Sequence, residues 1–359
     1  MTAYFTGQTE AATGDGYFTG FITAQTAPIV FALIFLTATG VVVFCGVEKG
    51  IEKFSKVLMP ILVILIIGIS IYSLTIKHTG DDGTIRTGID GLKVYLIPDF
   101  KGMTFRDIFM VVMDAMGQLF FSISVAMGIM VAYGSYVKKD VNLMKSINQI
   151  EIFDTAVAFL AGLMIVPAVY VFSGTEGMSA GPGLIISLPK VFNAMGKVGT
   201  VIGALFFIMV TFAAITSSVS VMEAIVSGLM DKFHLTRKKS AVITTVYAVV
   251  GMLVVCFGYN IWYFELKLPN GATAQILDVM DYLSNNIFMP LVAILSCILI
   301  GWVVKPKTVI DEVTRNGEKF GRKKLYIVMV KFVAPILLAL LLLQSFGIDF
   351  VQFVTNLFK

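Results

Sequence analysis

Eight long apolar runs constrain what this chain can fold into more than any other feature of the sequence. A helix that crosses a bilayer needs about 20 predominantly apolar residues. The runs lie at about 27–46, 54–76, 108–137, 152–172, 198–229, 240–260, 283–304 and 325–348. Of the 359 residues, 57% are hydrophobic and 14% are charged, whereas soluble domains are roughly half apolar and a quarter charged. The sequence therefore predicts an all-α polytopic membrane protein with about eight transmembrane helices.

The distribution of Lys and Arg predicts the orientation of these spans, because positive residues accumulate in cytoplasmic loops. The loops after the first, third, fifth and seventh spans carry 17 Lys and Arg, and the other loops and the tail carry nine. We therefore expect both chain ends on the outer side. That orientation would be natural if an odd number of spans preceded residue 1, so we also expect that an N-terminal part is missing.

The third run is unusual because polar and small residues interrupt it. These residues are Asp114, Gly117, Gln118, Ser122, Ser124 and Gly128. One interpretation is a helix that is broken to expose backbone groups to a ligand or an ion, which a membrane protein tolerates where protein or water covers the break. The other is an unbroken helix that packs closely on its neighbours through Gly and Ser. The segment alone favours neither.

Two further runs also hold polar side chains. Asp154 lies two residues into the fourth run, where a carboxylate either meets water or faces a cation. The fifth run contains Thr216, Ser217, Ser218 and Ser220, followed by Glu223. These hydroxyls either bond back to the preceding turn in a packed helix or supply oxygen ligands to Na⁺, which is a hard cation.

The loop at 173–197 begins with a Gly-rich stretch and continues with an apolar segment that is too short to span a bilayer. It is predicted to be a re-entrant or lid-like hairpin on the outer side. A plain surface loop is equally compatible with its composition, although Leu184 and Leu188 would then be poorly placed in water.

Several function classes are disfavoured. A net charge of +4 gives no support to nucleic-acid binding, and we find no zinc-protease, nucleophile-elbow or phosphate-loop motif. His78 and His234 are expected on opposite sides of the membrane. Cys45, Cys256 and Cys297 lie inside apolar runs without metal-site or disulfide spacing.

Seven short segments together resemble the neurotransmitter:sodium symporter family, the bacterial sodium-dependent amino-acid transporters with the leucine-transporter-like fold. They are Gly50–Lys56 with Met59-Pro60, Gly117–Ser124, Tyr133–Tyr136, Ser179–Leu184 with Leu188-Pro189, and Thr216–Ser218. They occur in family order over about residues 27 to 348. The resemblance implies inverted repeats, broken helices and alternating access.

The resemblance also implies how the chain is organised. Residues 1–359 would form a single membrane domain, in which 27–76 is a remnant of the first repeat and 108–304 is the second repeat. The helix at 325–348 would be additional. The eight spans correspond to the fourth to eleventh family helices, so the first three are expected to be absent. The run 108–137 matches the broken sixth helix, with its break near 122–127.

Carried over by position, the resemblance implies three sets of site residues. The substrate pocket would be lined by Phe121, Ser122, Ser124, Met127, Ser217 and Val221. One sodium would be held by Ser122 and Asp154, and the other by the Ala213 carbonyl, Thr216 and Ser217. Asp281 would be the outer-gate acid beside Gln118, and Asp231 the inner-gate acid. Phe121 would also act as an aromatic lid over the substrate.

Many family members have Asn at the position of Asp154. Four residues later, this chain has Ala158 at the position where relatives can have a chloride-site serine or a glutamate. An ionised Asp154 would supply the negative charge that chloride provides elsewhere. We therefore expect chloride-independent transport in the complete protein.

The resulting prediction is a non-enzymatic, sodium-coupled symporter of amino acids or related amines in the cell membrane. Na⁺ would be the co-transported ion, no organic cofactor is expected, and a homo-oligomer is possible. The alternative is that this chain is a non-transporting fragment, or a scaffold or subunit that needs the missing helices from another chain.

Overall fold

The computed structural model describes residues 11–348, except for Asp15, residues 81–82, residues 179–187, Lys190 and Ala194. The helices are α1 (Tyr17–Thr23), α2 (Ala27–Phe44), α3 (Lys53–Thr75), α4 (Gly88–Leu96), α5 (Phe105–Ser122), α6 (Ile129–Tyr136), α7 (Leu143–Phe172), α8 (Gly196–Phe233), α9 (Arg237–Gly258), α10 (Ile276–Val303), α11 (Pro306–Val313) and α12 (Lys323–Ser345). A single 3₁₀ turn covers Ala11–Thr13, and a π turn covers Val47–Glu52. Two short antiparallel hairpins are formed by β1 (Lys77–Thr79) with β2 (Ile85–Thr87), and by β3 (Leu266–Lys267) with β4 (Thr273–Ala274).

The predicted polytopic helical fold is confirmed. Among the described residues, seven helices are long and apolar enough to cross a membrane, and they coincide with seven of the eight predicted runs. The remaining run, the third, at 108–137, is divided between α5 and α6. Large apolar side chains face outward, such as Ile64 at 69% and Val131 at 78% exposure. In a membrane protein such surfaces face lipid, where they meet no water.

The chain packs as two compact units. The first unit comprises Met1–Phe100, Phe153–Met222 and Arg237–Val249, and the second comprises Lys101–Ile152, Glu223–Thr236 and Val250–Lys359. The division into repeats at 27–76 and 108–304 stays a prediction.

The core of the first unit joins α3, α7 and α8 with Leu188 and Phe192. Its buried apolar members are Leu62, Ile66, Ile69, Met164, Val169, Leu188, Phe192, Ile202, Phe206 and Met209. Polar bonds also tie these helices together, since Ser70 Oγ donates to the Leu160 carbonyl at 2.9 Å. Leu188 is only 2% exposed, so this side chain is not in contact with water as it would be in a plain surface loop. Residues 179–187 of the predicted lid-like loop lie outside the described residues, and the lid stays a prediction.

The second unit is built on the packing of α10 against α12. The Tyr282 hydroxyl donates to the Ser345 carbonyl at 2.6 Å. Both helices contain π turns, at Tyr282–Phe288 and Leu299–Val303 in α10 and at Met329–Val333 in α12. Because π turns widen a helix locally, they are frequent where a helix accommodates a site.

Candidate functional site

The helix break predicted in the third run is present between α5 and α6. Helix α5 ends at Ser122 and α6 begins at Ile129, with turns over residues 123–128. Three residues in this segment have left-handed backbone conformations, namely Ser124 (φ 55°), Ala126 (φ 65°) and Gly128 (φ 79°). The interpretation as an unbroken packing helix is therefore wrong.

The break stores backbone strain at two of these positions. A left-handed conformation costs a residue with a Cβ about 1–2 kcal/mol, and Ser124 and Ala126 both adopt it. Gly128, which avoids this penalty, is the N-cap of α6 and makes no side-chain cap bond. Glycine has no side chain that could accept a hydrogen bond from the first N–H groups of α6. These N–H groups therefore point into the break. Strain of this kind persists only where surrounding structure enforces it, and it clusters at binding sites.

Four of the predicted substrate-pocket residues lie at or next to this break. Phe121 and Ser122 are the last residues of α5 and are exposed, while Ser124 and Met127 lie within the break and are half-buried. The structure thus brings these four residues together on one segment.

A cavity of about 670 Å³ lies in the second unit and adjoins the end of α5. Gln118, Phe121 and Asp281, which the sequence assigned to the outer gate and the lid, all line it. Asp281 accepts a hydrogen bond from Asn285 Nδ2 at 2.6 Å. The structure therefore places three predicted gating or lid residues around a single space.

Sequence reasoning did not assign three other polar residues that line this cavity. They are Asn285 and Asn286 in α10 and Gln344 in α12. The consecutive amides at 285–286 inside an apolar run were a detectable signal, because amides are costly at membrane depth unless they are paired.

The predicted sodium ligands on α8 are close together in the first unit. The Thr216 hydroxyl donates to the Ala213 carbonyl at 3.0 Å and to the Phe212 carbonyl at 3.1 Å. Ser217, one position further, is exposed, and Val221 is 43% exposed. The two oxygens are of the kind that Na⁺ prefers, but in this structure they are joined to each other by a hydrogen bond.

The interpretation of the α8 hydroxyls as back-bonded to the preceding turn is confirmed, and the sodium-ligand interpretation stays a prediction. Thr216, Ser218 and Ser220 each donate to a carbonyl three or four residues earlier, at 2.9–3.1 Å. Ser218 Oγ also lies 3.0 Å from the hydroxyl of Thr39 on α2, which is fully buried. Ser218 therefore acts in helix packing, while Thr216 and Ser217 remain the candidates for ion binding.

The predicted site residues are divided between the two units. Asp154, Ala213, Thr216, Ser217 and Val221 belong to the first, and Gln118, Phe121, Ser122, Ser124, Met127, Asp231 and Asp281 belong to the second. Asp154 is half-buried in α7, and Asp231 is exposed near the end of α8. The roles of all twelve residues stay predictions.

A buried acid in the second unit is bonded to α6. Glu223 is 0% exposed, and its Oε1 accepts a hydrogen bond from the Tyr136 hydroxyl at 2.7 Å. The sequence had marked Glu223 as polar within a span, but it gave no partner. This bond ties the last residue of α6 to the second unit's part of α8.

This chain is similar to known sodium-dependent transporters. The family model described as the sodium:neurotransmitter symporter family matches residues 19–356. An uncharacterized sodium-dependent transporter of Haemophilus influenzae is 30% identical over 88% of this chain and 65% of its own length. The uncharacterized sodium-dependent transporter YhdH of Bacillus subtilis is 30% identical over 88% of this chain and 66% of its own length. This chain thus spans just under two thirds of the length of these relatives.

A solved structure shares the fold. The crystal structure of MhsT in complex with L-phenylalanine matches with a TM-score of 0.79 and 32% identity, over 96% of this chain and 74% of that one. The family is one of secondary transporters and not of enzymes, and the apolar helices make this chain a multi-pass protein of the cell membrane. From the family match and the shared fold, the chain belongs to the sodium:neurotransmitter symporter family.

Proposed function

We propose that the protein is a sodium-coupled symporter that moves an amino acid or a related amine across the cell membrane by alternating access. The observation that carries this proposal is the strained break between α5 and α6 in a chain of this family. Non-helical backbone at membrane depth is tolerated where it lines a cavity or a binding site, and transporters use such breaks to bind substrates and ions.

The substrate is proposed to bind at the break. The N-terminal end of α6 carries a partial positive charge, which favours the carboxylate of an amino acid. Phe121 and Met127 offer apolar surface for its side chain, and Ser122 and Ser124 offer hydroxyls. The family resemblance adds Ser217 and Val221 from the first unit. The bound L-phenylalanine in the MhsT structure is consistent with a ligand of this class.

Sodium is proposed to bind as cargo at the two predicted ligand sets. The adjacency of Thr216 Oγ1 and the Ala213 carbonyl supports one set, with Ser217 as the third member. The other set is Ser122 with Asp154, where a carboxylate adds the charge that a hard cation favours.

The gates are proposed to lie at the two ends of the pathway. Gln118, Phe121 and Asp281 surround the cavity of the second unit and would close the outer side over the substrate. Asp231, near the end of α8, would act at the inner side. Alternate opening of the two sides would then move substrate and sodium together.

A reconstitution experiment tests this proposal. Liposomes containing the purified chain are loaded with potassium buffer, diluted into sodium buffer, and assayed for uptake of radiolabelled amino acids. One net charge per cycle at 100 mV supplies about 2.3 kcal/mol, enough for roughly 50-fold accumulation. Uptake should require sodium and should increase when valinomycin makes the interior negative.

Two threonines on α8 provide a matched pair for the sodium site. Thr211 and Thr216 both donate to a carbonyl four residues earlier, at 2.7 and 3.1 Å, but only Thr216 belongs to the predicted ligand set. Thr216→Ala should therefore raise the sodium concentration needed for half-maximal uptake about tenfold, as expected if one charge-assisted contact of roughly 1.4 kcal/mol is lost. Thr211→Ala should leave it unchanged, and equal effects of both variants would contradict the assignment.

The competing proposal is a non-transporting fragment, scaffold or subunit. It is supported by the coverage of 65% and 66% of the curated relatives. Sodium-dependent binding of an amino acid without uptake, or the absence of both, would favour it over symport by this chain. Homo-oligomer formation and the lack of an organic cofactor remain predictions.

A further inference from the structure

A second cavity, of about 430 Å³, lies in the second unit. It is bounded by the last residues of α10, the start of α11 and the first turns of α12. Four lysines line it, namely Lys305, Lys307, Lys323 and Lys331, together with Trp302. The cavity is separate in sequence from the helix break and from all predicted transport residues. The function proposed above does not account for it.

The innermost lysine is held in position. Lys331 is half-buried, and its Nζ lies 5.4 Å from the centroid of the Trp302 ring. Its stem packs along Gly301, since a Cβ at that glycine would lie 3.4 Å from Lys331 Cγ. Trp302 in turn meets Phe332 edge-on at 5.7 Å. The ammonium group is therefore presented at the cavity wall by packed aromatic and backbone groups, in a cation–π arrangement.

The positive charge of this cavity is not balanced by the protein. Within the described part of the chain, no carboxylate forms an ion pair with any of the four lysines. Glu312 pairs with Arg315 at 3.5 Å and Glu151 pairs with Arg322 at 3.0 Å, and Asp311, four residues after Lys307 on α11, forms no ion pair with it. Four ammonium groups around one cavity repel one another, and an anion between them would relieve that repulsion.

The surroundings indicate which anion fits. The loop between Lys305 and Lys324 holds seven Lys and Arg, so it is expected on the cytoplasmic side. Trp302 and Val303 expose 55% and 68% of their surfaces beside the cavity, and Trp is favoured at the level of lipid headgroups. An anion with an apolar tail would therefore satisfy both the lysines and the exposed apolar surface.

We propose that this cavity binds the phosphate headgroup of an anionic phospholipid of the cytoplasmic leaflet. Lys331 contacts the phosphate at the inner end, and Lys305, Lys307 and Lys323 surround it. The acyl chains lie along the exposed surface next to Trp302. Basic pockets between transmembrane helices on the cytoplasmic side have the composition that recognises such headgroups.

The test uses Trp302 as a local probe. The chain has two tryptophans, so the Trp262→Phe variant leaves Trp302 as the sole indole. This protein is reconstituted in phosphatidylcholine bilayers that contain a small fraction of brominated phosphatidylglycerol or brominated phosphatidylcholine. Bromine quenches indole fluorescence on contact. Stronger quenching by the anionic lipid at equal mole fraction gives its relative affinity for the site.

Charge-neutralising variants show whether the cavity is responsible. Lys331→Gln and Lys307→Gln should each lower the preference for the anionic lipid about fivefold. Lys324→Gln is the matched control, because this lysine lies on α12 but does not line the cavity. It removes the same charge and should leave the preference nearly unchanged. Lys307 is exposed, so its variant tests the proposal even if Lys331→Gln fails to fold.

Three results would overturn the proposal. One is equal quenching of Trp302 by the two brominated lipids, and another is an equal loss of preference in Lys324→Gln, which would indicate general surface attraction. The third is displacement of the anionic lipid by excess inorganic phosphate at matched ionic strength, which would show that free phosphate is the ligand. Retention of the lipid under that challenge supports a lipid site. The measurement requires no transport, so its outcome is independent of the symport proposal.

Discussion

Two glycines in the same predicted span provide a sharp test of the helix break. Gly117 lies within α5, and no heavy atom would lie within 4 Å of a Cβ added there. Gly128 has φ +79°, and an added Cβ would lie 3.8 Å from Ala224 Cβ, which is an ordinary contact. An alanine therefore fits sterically at both positions, and only the backbone conformation distinguishes them.

The expected effects have opposite signs. Gly117→Ala should stabilise the protein by about 0.5–1 kcal/mol, because alanine replaces glycine inside a helix. Gly128→Ala incurs the left-handed penalty of about 1–2 kcal/mol, which the reduced entropy of the unfolded chain offsets by about 0.4–1 kcal/mol. It should therefore destabilise by about 1 kcal/mol. Ala126→Gly removes a left-handed alanine and should be neutral or slightly stabilising.

Thermal unfolding in a fixed detergent, followed by near-ultraviolet circular dichroism at one scan rate, measures this difference. At roughly 2 °C per kcal/mol for a chain of this size, the two alanine variants should differ by about 3–4 °C. A Gly128→Ala midpoint equal to or above that of the wild type would refute the left-handed conformation. A loss of stability in Gly117→Ala would show that α5 is closely packed at that glycine.

Three further predictions concern other sites. Tyr136→Phe removes a donor to the buried Glu223 carboxylate and should lower the unfolding free energy by about 1–3 kcal/mol, and partial recovery in the double variant with Glu223→Gln would assign the loss to this bond. The pKa of Asp90 is held below its ordinary value of 3.8, first by a hydrogen bond from the Thr87 hydroxyl at 2.6 Å and then by Lys93. The ionised Asp90 therefore stabilises the folded protein above pH 3.8. This contribution is lost as the pH falls through the lowered pKa of the folded state. Asp90→Asn should therefore reduce the drop in melting temperature between about pH 5 and pH 2, and an unchanged profile would contradict this. Uptake by Asp154→Asn should become chloride-dependent, whereas equal, chloride-independent uptake would show that Asp154 does not replace chloride.

The helices could be predicted from the sequence because their signal is long and redundant. Seven of the eight apolar runs recur as single helices that differ from the predicted bounds at their ends, and the run 108–137 recurs as two helices with a break between them. Helix α7 begins at Leu143, nine residues before the predicted start at 152, because the polar turns from Leu143 to Glu151 extend beyond the apolar run. Hydropathy detects only the part of a helix that lies in lipid.

The site was only partly predictable, because its contacts join residues that are distant in sequence. The break near 122–127 was expected from the family resemblance, because the glycines and hydroxyls of this run are equally compatible with close helix packing. The bond from Tyr136 to Glu223 spans 87 positions, and neither residue alone indicates the other. The cavity formed by the four lysines around Trp302 could not be predicted from the sequence for the same reason. Lys331 alone is compatible with a side chain that extends to the interface, and only the packing of α10 against α12 shows that three others converge on the same cavity.

The length of α8 has a consequence for the depth of the sodium ligands. With 38 residues, this helix is about 57 Å long, nearly twice the hydrocarbon thickness of about 30 Å. A tilt of roughly 58° would be needed to submerge it completely, which exceeds the observed range of about 0–40°. Part of it must therefore extend beyond the hydrocarbon layer, and Lys197 and Lys232 mark its two ends. Ala213, Thr216 and Ser217 lie at or near its midpoint, so an equal overhang on both sides places them halfway across the bilayer.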